Sequence, residues 1–200
     1  MGSVALTKFQ DSIVGARVLA SFCGTVSVAS TNQTLTDQCL LKAGIAQAVG
    51  CWEGYIEAVL PEFVSKTRVQ AHRKAWTLIV QFESLVDKLA SDLNTPNWDK
   101  SRELILNITG MDPYASWIWS PRFANQTDTK AFFNGILDVR HSFAHGFAVP
   151  TNVPGLTIPG QLDFVYVTDA TACLEFFATT VDKLLEHELT HRHACVAGWD

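Results

Sequence analysis

Apolar residues recur at three- and four-residue steps through most of this 200-residue chain, which is the period of an α-helix with one buried face. Segments rich in Pro, Gly, Ser, Thr and Asn interrupt the repeat and mark where helices end. The helices that this pattern predicts cover about residues 6–22, 37–60, 67–93, 97–108, 127–145 and 170–193. Such a series favours an all-α fold, an antiparallel up-and-down helical bundle of four to five main helices.

Several residues set limits to these helices. Pro61 is expected to end or bend the second helix, and Thr95 to cap the fourth. Three prolines exclude a helix from residues 147–160. The segment 162–167, LDFVYV, has strand character and is predicted to pair with residues 156–158. A short β-hairpin insertion is therefore expected before the last helix.

The composition is that of an ordinary globular chain, with 48% hydrophobic and 18% charged residues. A chain of this length buries a sizeable core without disulfides, so we expect a single domain over residues 1–200. The net charge of −5 argues against a broad basic field, so no DNA partner is expected and any RNA contact is local. Five cysteines without a C-x-x-C pair indicate reduced thiols and a cytoplasmic location. We expect no signal peptide, no membrane-spanning helix and no cofactor.

The stretch from Leu137 to Gly146, LDVRHSFAHG, collects cationic and proton-transferring side chains at the end of an apolar helix. Thr127 or Asp128 is expected to cap this helix, and Gly146 to stop it. The positions on its broad apolar arc are Phe132, Phe133, Ile136, Leu137, Val139, Phe143 and Ala144. The positions on the opposite face are Asn134, Asp138, His141 and His145. Arg140 projects into the apolar arc, where it is costly unless a carboxylate, a partner chain or a phosphate satisfies its donors.

Arginine and histidine together supply what RNA cleavage needs without a metal. Attack of a 2′-hydroxyl on the adjacent phosphate needs a base, an acid and a positive donor for the developing charge. On an ideal helix Arg140 and His145 are about 140° apart, so one site requires unwinding near Gly146 or a second copy of the motif across a dimer. The structural alternative is a helix end with two solvated histidines and an arginine paired to a core glutamate.

These residues resemble the R-x4-6-H motif of HEPN domains, with the polar His141 directly after Arg140. The second helix carries Cys51-Trp52-Glu53-Gly54-Tyr55-Ile56, which is similar to the tryptophan-glutamate-aromatic pattern of the RiboL-PSP-HEPN group. The resemblance covers most of the chain, about residues 38–190.

The resemblance implies a metal-independent endoribonuclease that acts as a homodimer and leaves a 2′,3′-cyclic phosphate and a 5′-hydroxyl. His145 would act in acid/base catalysis, Arg140 on the scissile phosphate, and His141 in orienting or assisting. Asp138 and Glu53 would support the site, Glu53 by pairing with Arg140 or merely as a solvated rim residue. Such domains often act as toxins or in antiviral defence with an antitoxin or regulatory protein. The competing class is a catalytically silent HEPN module that binds RNA, a nucleotide or a protein.

Two further features bear on RNA binding. The dense basic patch of the third helix includes Arg68, Arg73 and Lys74, which are candidate RNA contacts. The segment 111–125 carries four aromatic residues that either stack bases or, in the interpretation we favour, pack on the core.

Two arrangements of histidines also suit a metal. His187-Glu188-Leu189-Thr190-His191 is a literal HExxH, which predicts a zinc-dependent hydrolase as a second alternative. Only nine residues follow it, so a third ligand has no usual spacing, and a solvated polar face is the simpler interpretation. His141 and His145 also stand one turn apart, but only Asp138 is near in sequence to complete a coordination sphere.

Overall fold

The computed structural model describes residues 2–26, 32–67, 77–93, 96–193, 195 and 198–199, without the side chains of residues 77–79. The elements in chain order are α1 Val4–Ser21, α2 Gln33–Thr67, α3 Thr77–Ser91, α4 Trp98–Thr109, a 3-10 helix Pro113–Ser116, α5 Gln126–Ala144 and α6 Phe164–His191. The all-α prediction is confirmed, with six α-helices in the described residues rather than four or five.

The chain divides into two compact units. Unit 1 comprises Met1–Phe9, Glu53–Trp117 and Phe177–Asp200, and unit 2 comprises Gln10–Trp52 and Ile118–Phe176. Helices α1, α2 and α6 each contribute residues to both units. A single domain over residues 1–200 stays a prediction.

Three aromatic side chains form the centre of unit 1. Trp98, Trp117 and Phe177 are almost completely buried and meet edge to face, with ring centroids 4.9, 5.5 and 5.2 Å apart. Edge-to-face contact suits aromatic rings because it brings a positive ring edge against a negative ring face. The Tyr55 hydroxyl donates a hydrogen bond to the Ala178 carbonyl at 2.9 Å, so that buried polar group is satisfied.

Carboxylates anchor the start of α1 in unit 1. Glu62 accepts hydrogen bonds from the backbone N–H groups of Val4 and Ala5 at 2.9 and 3.0 Å, which satisfies donors that a helix start leaves open. Asp182, only 2% exposed, accepts hydrogen bonds from the backbone N–H and the hydroxyl of Ser3. The first turn of the chain is therefore tied to α2 and α6 within this unit.

Burial raises the pKa of Asp182 above the usual carboxyl range, and the neighbouring carboxylates of Glu186 and Glu62 raise it further, while the Ser3 hydrogen bonds oppose this. Because its pKa is raised in the folded protein, the Asp182 carboxyl binds its proton more tightly there than in the unfolded chain. The contribution of Asp182 to stability therefore grows as pH falls from the raised pKa toward about 3.9, the ordinary value.

We expect the free energy of unfolding of the native protein to rise relative to that of Asp182→Asn as pH falls from neutral toward 4. Asparagine keeps the shape and an acceptor for Ser3 but cannot titrate. Chemical denaturation of both proteins across this pH range measures the difference. If the difference in free energy of unfolding stayed constant, or became smaller as pH fell, the raised pKa of Asp182 would be contradicted.

Unit 2 also has an aromatic centre. Trp119 stacks on Phe132, with centroids 5.5 Å apart and an interplanar angle of 19°, and Trp52 meets Phe133 edge to face at 5.8 Å.

Trp117 and Trp119, which are both buried, come from the aromatic segment 111–125. For these two tryptophans, packing on the core is confirmed over base stacking.

The predicted β-hairpin was wrong. Among the described residues no strand forms, and residues 156–167 hold only one isolated bridge, between Ile158 and Gln161. The Asp163 side chain accepts a hydrogen bond from the Tyr166 N–H at 2.7 Å, so it caps α6, which begins at Phe164. Tyr166 and Val167 are buried while the two residues before them are exposed, a helical rather than an alternating pattern.

Two expected helix limits also differ. α2 continues through Pro61 to Thr67, and the buried Phe63 and Val64 beyond the proline stabilise that extension. The cap of α4 is Asn97, whose side chain accepts a hydrogen bond from the Lys100 N–H at 2.9 Å, rather than Thr95, which lies outside the described residues. The helix ends at Gly110, which has a left-handed backbone with φ of 74°.

By length and composition alone, α6 could cross a membrane, with a mean hydropathy of 1.2 over its most apolar window. Half of that window is buried inside the protein, and the core helix of a globular protein has the same composition. The absence of a membrane span stays a prediction.

Candidate active site at the end of α5

Helix α5 carries the predicted site at its C-terminal end. The helix begins after Asn125, whose side chain accepts a hydrogen bond from the Asp128 N–H at 2.9 Å, so neither Thr127 nor Asp128 is the cap. Asparagine adopts the extended backbone of a cap and offers an acceptor to the first turn.

The end of α5 is a Schellman turn. Gly146 has a φ of 68°, its N–H donates to the Phe143 carbonyl at 3.2 Å, and the Phe147 N–H donates to the Ser142 carbonyl at 2.7 Å. Glycine suits this position because a left-handed backbone is strained for other residues. The predicted stop at Gly146 is confirmed, and it fixes the backbone beside His145, the C-cap.

The buried face of α5 differs from the predicted apolar arc in the last turn of the helix. The predicted apolar positions from Phe132 to Val139 are buried, but Phe143 is 41% exposed and Ala144 is also exposed. The inward position in the last turn belongs to Ser142, whose hydroxyl donates to the Val139 carbonyl at 2.7 Å. A satisfied serine is tolerated there, and Phe143 is left on the surface of the chain.

The two histidines of the motif lie side by side and are open to solvent. The ring centroids of His141 and His145 are 4.3 Å apart, and both side chains are exposed, as predicted. Arg140 is half-buried. The end of α5 therefore presents two exposed imidazoles, one and five residues after a guanidinium.

Sequence reasoning missed two residues at this site. The Lys42 ammonium of α2 donates a hydrogen bond to the Phe147 carbonyl at 2.9 Å, and the Phe147 ring stacks beside His145, with centroids 5.7 Å apart at 24°. The signal for Phe147 was present, because the position after the glycine of a Schellman turn is commonly apolar. Nothing in the local sequence connects Lys42 to residues more than 100 positions away.

The supporting residues are placed as follows. Asp138 is exposed on the same face of α5 as His141. Glu53 is half-buried on α2, in unit 1, and its Oε1 is buried. The pairing of Glu53 with Arg140 stays a prediction. Arg68, Arg73 and Lys74 lie outside the described residues, so their contact with RNA stays a prediction too.

The HExxH segment near the end of α6 has a packing role. Glu188 is buried and pairs with Arg192, with an Oε1–Nη1 distance of 3.3 Å. His191 Nδ1 lies 2.8 Å from the His187 carbonyl, and the two imidazoles stack 3.9 Å apart at 15°. A catalytic glutamate in a zinc site must face a metal-bound water, and Glu188 is enclosed instead. In the described part of the chain, no group of three or more His, Cys, Asp or Glu residues could hold a metal ion.

We predict well under one zinc per chain in purified, tag-free protein, because a tetrahedral site needs more ligands than these two histidines supply. Elemental analysis after dialysis measures the content. Stoichiometric zinc that is lost in both His187→Ala and His191→Ala would contradict this and would favour a hydrolase.

The helical fold, with Arg140 and His145 at the end of its penultimate helix, has the form of a HEPN-superfamily domain. The family model described as RiboL-PSP-HEPN matches residues 24–187, so the chain belongs to the RiboL-PSP-HEPN family. This confirms the resemblance, with limits near the expected 38–190. Neither the curated proteins nor the solved structures give a match. Family membership indicates an RNA-related or toxin module, and some HEPN domains are non-catalytic.

Proposed function

We propose that this chain is a metal-independent endoribonuclease, a toxin or antiviral-defence effector of the cytoplasm. The observation that carries the proposal is the pair of exposed imidazoles, 4.3 Å apart, that follows Arg140 at the rigid end of α5. Arg140 and the two imidazoles are the groups that metal-free cleavage of RNA needs, and they lie within six residues of one another.

In the proposed reaction, the 2′-oxygen of a ribose attacks the adjacent phosphorus while its proton passes to a base. The bond from phosphorus to the 5′-oxygen breaks, and an acid protonates that oxygen. His145 transfers a proton in this sequence and His141 orients or assists it. Arg140 binds the phosphate oxygens through two parallel N–H groups and stabilises the charge that develops on them. The products are a 2′,3′-cyclic phosphate and a 5′-hydroxyl.

We predict a homodimer, since the separation of Arg140 and His145 around the helix favours a cleft built from two copies of the motif. The exposed Phe143, inside the motif, is the apolar side chain that we expect such a two-fold contact to cover. Light scattering should give twice the chain mass at micromolar concentration. Phe143→Glu should shift the protein toward monomer, whereas Leu35→Glu, at another exposed apolar position of unit 2, should not. A native protein that is monomeric would contradict the prediction.

Incubating the purified protein with mixed cellular RNA in EDTA tests the proposal. We expect cleavage by the native protein and none by Arg140→Ala. Arg140→Lys should also be impaired, because an ammonium keeps the charge but loses the bidentate geometry of the guanidinium. Equal degradation by the native protein and Arg140→Ala would indicate a contaminating nuclease and would overturn the assignment.

The second candidate is a non-catalytic HEPN module that binds RNA, a nucleotide or a regulatory protein such as an antitoxin. Family membership favours it to the extent that some HEPN domains lack activity. RNA that is bound but left intact by the native protein, in EDTA and in magnesium alike, would support this candidate over the nuclease.

A further inference from the structure

Among the phenylalanine, tyrosine and tryptophan side chains in the described residues, Phe147 is the most exposed, at 60%. Its backbone is nonetheless held on both sides, since its N–H donates to Ser142 and its carbonyl accepts from Lys42. The left-handed Gly146 before it fixes the direction in which the chain leaves the helix. The backbone of Phe147 is thus fixed beside the end of α5, while most of the ring surface stays open to a ligand.

The ring of Phe147 continues a series that begins on α5. The His141 and His145 rings are tilted by 52° with centroids 4.3 Å apart, whereas the His145 and Phe147 rings are nearly parallel, with centroids 5.7 Å apart and planes at 24°. Offset, nearly parallel rings are the arrangement that aromatic side chains and nucleobases share. The series therefore extends from the residues proposed for proton transfer to an open aromatic surface.

We propose that Phe147 is the base-stacking residue of this site, holding one unpaired base of the RNA beside His145. The inference rests on the proposed function. It adds a contact that depends on the face of a base, whereas Arg140 and the histidines act on the phosphate and the ribose. A base must leave its duplex to stack on a protein side chain, so the contact favours unpaired RNA.

The surroundings of Phe147 favour RNA over a protein partner. Two exposed imidazoles and the positively charged Lys42 ammonium flank it. The centres of protein interfaces are depleted of charged residues, whereas sites for single-stranded nucleic acid combine aromatic rings with cations.

Binding of a short 2′-O-methyl oligoribonucleotide carrying 2-aminopurine tests the stacking apart from the chemistry, because the methylated 2′-oxygen cannot attack. We expect Phe147→Ala to raise Kd, and KM for the cleavable oligonucleotide, by roughly 5- to 100-fold, with kcat little changed. Phe147→Trp should bind like the native protein, and Phe147→Leu should resemble Phe147→Ala. Phe164→Ala is the matched control, since Phe164 is another exposed phenylalanine of unit 2 and lies outside the ring series. Melting temperatures verify that each variant is folded.

The outcomes separate this inference from the nuclease proposal. If the native protein cleaves RNA and Phe147→Ala binds and cleaves as well as it does, only the stacking role fails. The stacking role would also be overturned if Phe147→Leu bound as tightly as the native protein, or if Phe164→Ala weakened binding as much as Phe147→Ala. A Phe147→Ala protein with a lower kcat and an unchanged Kd would overturn it as well. A Phe147→Ala protein that sediments at a different oligomeric state would identify Phe147 as a protein contact instead. If the native protein cleaves no RNA, the nuclease proposal falls, and Kd for the 2′-O-methyl oligonucleotide then decides the stacking role, which also falls if Phe147→Ala binds as tightly as the native protein.

Discussion

His145→Ala should slow RNA cleavage by roughly 10²- to 10⁴-fold, the usual contribution of a positioned acid or base. The side chain is exposed at the end of α5, so its removal leaves no cavity and no buried group without a partner. The free energy of unfolding should change by less than about 1 kcal/mol. Initial cleavage rates beside denaturation curves for both proteins measure the two effects.

His191→Ala is the control for this experiment, since His191 is also exposed at the end of a helix and lies outside the proposed site. It should cut RNA at the native rate. If Arg140 is instead only a structural residue, the pattern reverses. Arg140→Ala would then destabilise the fold by about 3 kcal/mol or more by stranding a buried carboxylate, and His145→Ala would do nothing measurable. A His145→Ala protein that cuts at the native rate would end the mechanism.

Trp117→Ala should reduce the free energy of unfolding by about 3–5 kcal/mol, the range for removing a large aromatic side chain from a packed core. Trp117 is 0% exposed and touches both Trp98 and Phe177 edge to face. Alanine leaves a cavity that these rigid rings cannot fill. Denaturant unfolding monitored by circular dichroism measures the loss, which should lower the melting temperature by on the order of 10 °C.

Tyr114→Ala is the matched control, since Tyr114 lies in the same aromatic segment but on the surface. Its ring packs under the Arg102 guanidinium at 4.5 Å, a contact with a contribution of about 0.5–1 kcal/mol at an exposed site. A Trp117→Ala protein no less stable than Tyr114→Ala would contradict the packing of unit 1.

The helices could be predicted because their burial follows local periodicity, and each exception has a physical cause. Leu162 to Val167 has strand-forming side chains, but the capping hydrogen bond of Asp163 begins a helix that then continues through α6. Pro61 lacks an N–H, yet burial of Phe63 outweighs that loss and α2 continues. Propensity is a weak preference that tertiary packing overrides.

The candidate site could be predicted in part. Arg140, His141 and His145 are local in sequence, and a helix with Gly146 at its end places the two histidines on one exposed face. The exposure of Phe143 could not be predicted, because it depends on Ser142 taking the inward position in the last turn. Lys42 could not be predicted either, because its contact with Phe147 depends on how α2 packs within unit 2.

The chemistry of the cut tests the central claim most directly. An RNA oligonucleotide that the protein cleaves in EDTA is compared with one that carries a single 2′-deoxynucleotide on the 5′ side of the scissile phosphate. The account predicts that the deoxy substitution abolishes cleavage at that phosphate, and that the all-ribose products end in a 2′,3′-cyclic phosphate and a 5′-hydroxyl. Cleavage at the deoxy position, a 5′-phosphate on the product, or an absolute need for a divalent ion would contradict it.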